Sequence, residues 1–135
     1  MAPRTVTTQH RVRYGDTDQM GVVYYANYLY YFEIGRAEWL RAHGRSYRDV
    51  EAAGVLLPVI EAHARYRSPA RYDDLLDITV TPGEVRAASV RFTYELRRAD
   101  GHAVLAEGWT IHACMNPEGR PYRWPREIAT LLRGE

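Results

Sequence analysis

Residues 14–28 read Tyr-Gly-Asp-Thr-Asp-Gln-Met-Gly-Val-Val-Tyr-Tyr-Ala-Asn-Tyr, and this stretch separates a strand pattern before it from a helix pattern after it. Gly15-Asp16-Thr17-Asp18-Gln19-Met20-Gly21 puts two carboxylates and two glycines into a loop that feeds a helix N-terminus. The amides of a first helical turn have no partner inside the helix and carry the positive end of its dipole, about half a charge. They can hold a developing oxyanion, while a nearby carboxylate supplies a nucleophile or a base that activates water. An Asp-x-Asp pair before a helix also serves as an ordinary cap and turn, so spacing alone leaves both readings open. Glycine at position 21 would let the backbone approach a ligand closely.

Outward from the loop, the pattern predicts one long helix over residues 26–43, with Gly44 placed to terminate it. Its first half is apolar nearly all round (Tyr28, Leu29, Tyr30, Tyr31, Phe32, Ile34), which predicts burial on most sides. The second half turns amphipathic and leaves Arg36, Glu38 and Arg41 for solvent. Glu33–Arg36 and Glu38–Arg41 have the spacing of helical ion pairs. At 1.5 Å per residue the helix spans roughly 27 Å, about the length of a sheet wrapped along it.

Five segments alternate as half-buried strands do. Over 6–14 one face reads Val6, Thr8, His10, Val12, Tyr14, and over 58–68 the apolar set is Ile60, Ala62, Ala64, Tyr66. Leu76, Ile78 and Val80 line a third strand that Pro82-Gly83 is expected to end. The fourth, over 89–97, sets Val90, Phe92, Tyr94 and Leu96 against a polar face. Asp100-Gly101 turns it into a fifth over 103–115, making a hairpin. Pro125 opens a short helix through Leu132. Strands with one helix packed on a single face make an α+β layer, an antiparallel sheet of about five strands curled around a central helix.

The chain is 135 residues long, enough for one domain (1–135) with a real core, and its 46% hydrophobic and 26% charged content is that of a globular protein. A formal net charge of +1 argues against a nucleic-acid coat. No apolar run reaches the ~20 residues of a membrane helix, and the polar start Met-Ala-Pro-Arg-Thr lacks a signal peptide's apolar segment. The single cysteine, Cys114, fits a reducing compartment. A cytoplasmic protein with no nucleic-acid partner and no membrane insertion is expected.

The string YGDTDQMGVVYYANYLYYFEIGRAEWL resembles the 4-hydroxybenzoyl-CoA thioesterase family, and most closely its branch of acyl-CoA thioesterases associated with the Tol–Pal system. Arg67-Ser68-Pro69-Ala70-Arg71-Tyr72-Asp73-Asp74 and the 89–96 strand extend the likeness over almost the whole chain. The resemblance implies a hot-dog fold and hydrolysis of an acyl-CoA to free acid and coenzyme A. Carried over by position, Asp18 is the essential carboxylate, and Asp16 is a frequent companion that is not the primary catalyst. The backbone N–H of Tyr25 falls where the family polarises the thioester carbonyl. That branch commonly has histidine where this chain has Tyr25, so a His-assisted step is in doubt here while the backbone donor is not. Gly21, Val22, Tyr24 and Asn27 in the motif, and Arg86 and Ser89 before the fourth strand, are the expected substrate contacts. Ala87 and Ala88 replace basic residues common in that turn. No cofactor and no metal is implied, since a thiolate leaves with little acid assistance.

The resemblance also implies at least a homodimer, or a homotetramer of two dimers, with the site at the subunit interface. Two other functions compete. A hydratase of the same fold needs a His paired with a carboxylate near the helix start, and none of the five histidines lies there. A non-catalytic acyl-CoA sensor would gain nothing from a carboxylate beside a reactive carbonyl. His112 and Cys114 share a strand face, but two ligands do not make a zinc site.

Overall fold

Period-two patterning builds the sheet and a helical stripe covers it, in a computed structural model that describes residues 4–135; the first three residues of the polar N-terminal stretch lie outside these. Strands β1 (Val6–Arg11), β2 (Val59–Tyr66), β3 (Leu75–Val85), β4 (Ser89–Arg98) and β5 (Val104–Ala113) form one antiparallel sheet in the order β1-β3-β4-β5-β2. Helix α1 (Asn27–Ala42) lies against one face, and α2 (Tyr47–Ala52) and α3 (Arg126–Arg133) follow. In β4 the predicted set Val90, Phe92, Tyr94 and Leu96 is buried, as are Leu76, Ile78 and Val80 in β3. The hairpin turn at Asp100-Gly101 forms, with Gly101 and His102 at positive φ.

Three expectations change. The first strand stops at Arg11, and Tyr14, 78% exposed, starts a 3-10 turn, Tyr14–Asp16. Pro82 does not end β3, because β1 pairs only as far as Val80, leaving Pro82 on an open edge where a missing donor is tolerated. Of the apolar residues of β2, Ile60, Ala62 and Tyr66 are exposed and only Ala64 is half-buried, because β2 is the sheet's outer strand beyond β5.

Helix α1 buries Tyr28, Tyr31, Phe32, Gly35, Arg36, Trp39 and Leu40, a stripe at spacings of three and four residues. Leu29 and Tyr30 remain exposed, so its first half is covered on one side only. Gly35 lets the helix settle onto the sheet: a Cβ there would stand 2.6 Å from Ile78 and 2.7 Å from Val80. Phe32 stacks on Tyr94 with centroids 4.4 Å apart. Gly44 follows the helix, with Arg45 N–H donating to the Leu40 carbonyl and Gly44 N–H to that of Arg41, a Schellman ending.

Arg36 is buried, not solvated, and among the described residues it pairs with no glutamate. Its guanidinium donates to the hydroxyls of Tyr47 and Tyr94. The Leu57 carbonyl only accepts, so the neutral His112 gives its one ring proton to it from Nδ1, and the chain of bonds runs one way: Thr110 donates to Nε2 of His112 and Tyr94 donates to Thr110. Glu38 and Arg41 do form the expected pair. Helix α2 escaped the periodicity reading, although Ser46 and Asp49 form a capping box that announces it.

Candidate active site

Between β1 and α1, residues 17–23 form a small hairpin. Thr17 and Val23 make an antiparallel bridge. Asp18 N–H donates to the Val22 carbonyl and Gly21 N–H to the Asp18 carbonyl, both at 2.9 Å. This is a three-residue loop ending in a left-handed residue, Gly21 at φ 77°. Gly21 therefore serves the turn.

Asp18 accepts the Met20 amide on Oδ1 at 2.9 Å, which leaves Oδ2 without a protein donor among the described residues. Asp18 lines an apolar cavity of about 280 Å³ together with Met20, Val22, Val23, Tyr25, Tyr28, Tyr66 and the loop Arg67-Ser68-Pro69. The helix is entered through a tight turn, with Asn27 N–H donating to the Tyr24 carbonyl and Tyr28 N–H to that of Tyr25. The amides of Tyr25 and Ala26 have no protein acceptor among the described residues. Two residues that line one apolar space, Asp18 and Tyr25, thus carry a free carboxylate oxygen and a free amide near the helix start.

Of the expected contacts, Asp18, Val22 and Tyr25 line this cavity. Tyr24 lies outside, half-exposed and packed on the Tyr25 ring at 4.9 Å. The Asn27 amide donates to the Asp16 carbonyl at 2.9 Å. Arg86 and Ser89 are elsewhere. They border a second groove with Ile60, Glu61, Arg91 and Ile111, and Arg86 pairs with Glu84. One space includes Tyr66 and the other Ile60, six residues apart on β2, or roughly 20 Å.

Tyr28 and Arg67, which the sequence offered only as possible pocket and phosphate contacts, line the cavity, whereas Tyr66, Ser68 and Pro69 were not anticipated as site residues. The Tyr28 hydroxyl accepts the Ala70 amide, and Ala70 accepts that of Val23, so the loop is pinned to the hairpin. The Tyr66 hydroxyl donates to the Tyr25 carbonyl at 3.2 Å. The signal for the 67–69 loop was the second stretch of family likeness, which begins at Arg67.

An antiparallel five-stranded sheet wrapped on one long helix defines the hot-dog class. The chain belongs to the Thioesterase-like superfamily, whose pattern it matches over residues 12–132. It is 35% identical to the acyl-CoA thioester hydrolase YbgC of Escherichia coli over 91% of this chain and 92% of that protein. Its structure superposes on a hypothetical protein of Thermus thermophilus with a TM-score of 0.89 and 36% identity, covering 95% and 97% of the two chains. It superposes on a 1,4-dihydroxy-2-naphthoyl-CoA thioesterase of Synechocystis with a TM-score of 0.88 and 27% identity, over 96% of each. Among the described residues no helix is long and apolar enough to cross a membrane.

Proposed function

We propose that this acyl-CoA thioesterase cleaves its substrate with Asp18 as nucleophile or general base and the Tyr25 N–H as oxyanion donor. The observation that carries the reading is that Asp18 and Tyr25, whose carboxylate oxygen and backbone amide have no protein partner among the described residues, line one apolar cavity. The thioester carbonyl lies against the helix start, where its developing charge gains the amide and the dipole. As nucleophile, Asp18 adds to the carbonyl carbon, the C–S bond breaks, and water then cleaves the anhydride. As base, Asp18 takes a proton from the attacking water. In both routes coenzyme A leaves as a thiolate.

The second copy is part of the proposal. Antiparallel pairing of β2 with its own copy along its full length sets the Tyr66 end against the partner's Val59 end. The groove holding Arg86 and Ser89 then adjoins the Asp18 cavity of the other protomer, and the partner's Arg86 and Ser89 serve the coenzyme A moiety. A tetramer of two such dimers would use the outer sheet face, where Arg91 lies 4.5 Å over Trp109 and His63 stacks beside it. A cytoplasmic setting completes the reading, supported by a single cysteine that is buried and unpaired.

The test is release of free thiol across a panel of acyl-CoAs by wild type and Asp18→Asn, with folding of both checked by circular dichroism. Turnover in the variant is expected to fall about 10²–10⁴-fold. Undiminished turnover by a folded Asp18→Asn would refute the role of Asp18. Tight binding without release by wild type would favour the sensor.

A further inference from the structure

Asp16 is 8% exposed, and its carboxylate points away from the cavity into a dense set of partners. Oδ2 accepts the Tyr31 hydroxyl at 2.8 Å and the Arg13 amide at 3.1 Å. His10 Nε2 stands 3.8 Å from the same oxygen, and Arg13 Nε 3.9 Å from the other. The carbonyl of the same residue accepts the Tyr24 amide and the Asn27 side chain, each at 2.9 Å. One residue therefore touches β1, the 3-10 turn, the far side of the hairpin and the first two turns of α1.

Tyr31 is suited to its part. It is fully buried, and burial, then its bond to Asp16, pushes its hydroxyl far above the usual phenol value, so it stays a donor. Its ring packs on His10 and Tyr28, centroids 5.1 and 6.0 Å away. The hairpin 17–23 hangs from the bond between the Asp16 carbonyl and the Tyr24 amide, and Tyr25 is the next residue. A shift of Asp16 would therefore move Asp18 and the Tyr25 amide relative to each other.

We infer that Asp16 is a positioning residue: its carboxylate, clamped by Tyr31, holds the Asp18 hairpin and the start of α1 in the one arrangement that lets both act on a single thioester. The inference rests on the role proposed for Asp18. A misplacement of about 1 Å can lower a rate on the order of a hundredfold, so losing the clamp acts on kcat and leaves the apolar cavity, and with it KM, nearly unchanged.

The experiment is steady-state thiol release by wild type, Asp16→Asn, Tyr31→Phe and Asp18→Asn, and by Asp18→Asn combined with each of the other two. Asp16→Asn and Tyr31→Phe are expected to lower kcat about tenfold to a hundredfold with KM within about twofold. Neither is expected to lower the residual rate of Asp18→Asn further, because the clamp acts by setting the Asp18 carboxylate against the Tyr25 amide, and without that carboxylate their relation no longer sets the rate. Tyr31→Phe removes one oxygen from a packed ring, so it carries the test if Asp16→Asn fails to fold. Full kcat in Tyr31→Phe, with Asp18→Asn inactive, overturns the positioning role alone. An equal loss in the Asp18→Asn background also overturns it, by showing a general structural effect. Wild-type turnover in Asp18→Asn by itself overturns the Asp18 reading on which the inference rests.

Discussion

Gly21 holds a φ of 77° with open space around its missing side chain. An L-residue there meets no neighbour and still clashes with its own backbone, at roughly 1–2 kcal/mol for the left-handed conformation. Gly21→Ala is expected to lower the unfolding free energy by about that amount in a denaturant titration, and Gly21→Asn by less, since Asn tolerates this region. The sequence had suggested that the glycine admits a ligand, and the structure gives it to the turn that presents Asp18. That Asp18 and Tyr25 line one cavity was legible because the loop and the helix start are contiguous in the chain. Arg36 was not. An arginine between exposed-looking helical positions reads as solvated, and its tyrosine partners lie 11 and 58 residues away.

Between elements, the bond chain from Arg36 through Tyr94, Thr110 and His112 ties α1 to β4, β5 and the Leu57 carbonyl ahead of β2, and it has consequences for pH. Burial first, and the Arg36 charge second, push the His112 imidazole down to about 4 from an ordinary 6.5. A second ring proton would put a donor against the Thr110 hydroxyl, which already donates to Nε2. Above pH 6.5 neither the folded nor the unfolded chain protonates this group, and its neutral form is the one the fold accepts. As pH falls from 6.5 to 4 the unfolded chain takes up a proton that the folded chain refuses, so stability falls with pH. The full loss is about 3 kcal/mol at 1.36 kcal/mol per unit. Unfolding free energies from denaturant titrations at pH 7 and pH 4 are expected to differ by that much more in wild type than in His112→Gln, which cannot titrate. The strand and helix order was readable from periodicity, since β4 and α1 present clean apolar sets. What escaped it depends on neighbours distant in the chain: the exposure of β2, the passage of β3 through Pro82, and the short α2, whose six residues give no stripe to read.

For the whole molecule, the weak point is an eight-residue edge strand carrying Val59, Ile60 and Tyr66 at 49%, 56% and 47% exposure. Natural sheets blunt such edges or cover them, and a second copy is the cover proposed here. The residues expected to bind coenzyme A and the carboxylate expected to cleave it lie toward opposite ends of that strand. No inspection of a linear sequence could show that they meet only across a two-fold axis. If they do, two crippled chains can repair one another. In a mixed dimer of an Asp18→Asn chain and an Arg86→Ala chain, one composite site collects both lesions and the other is free of both. Co-refolding equal amounts of the two inactive variants is expected to restore about a quarter of wild-type turnover, since half the dimers are mixed and each has one intact site. No recovery would mean that each chain works with its own residues alone.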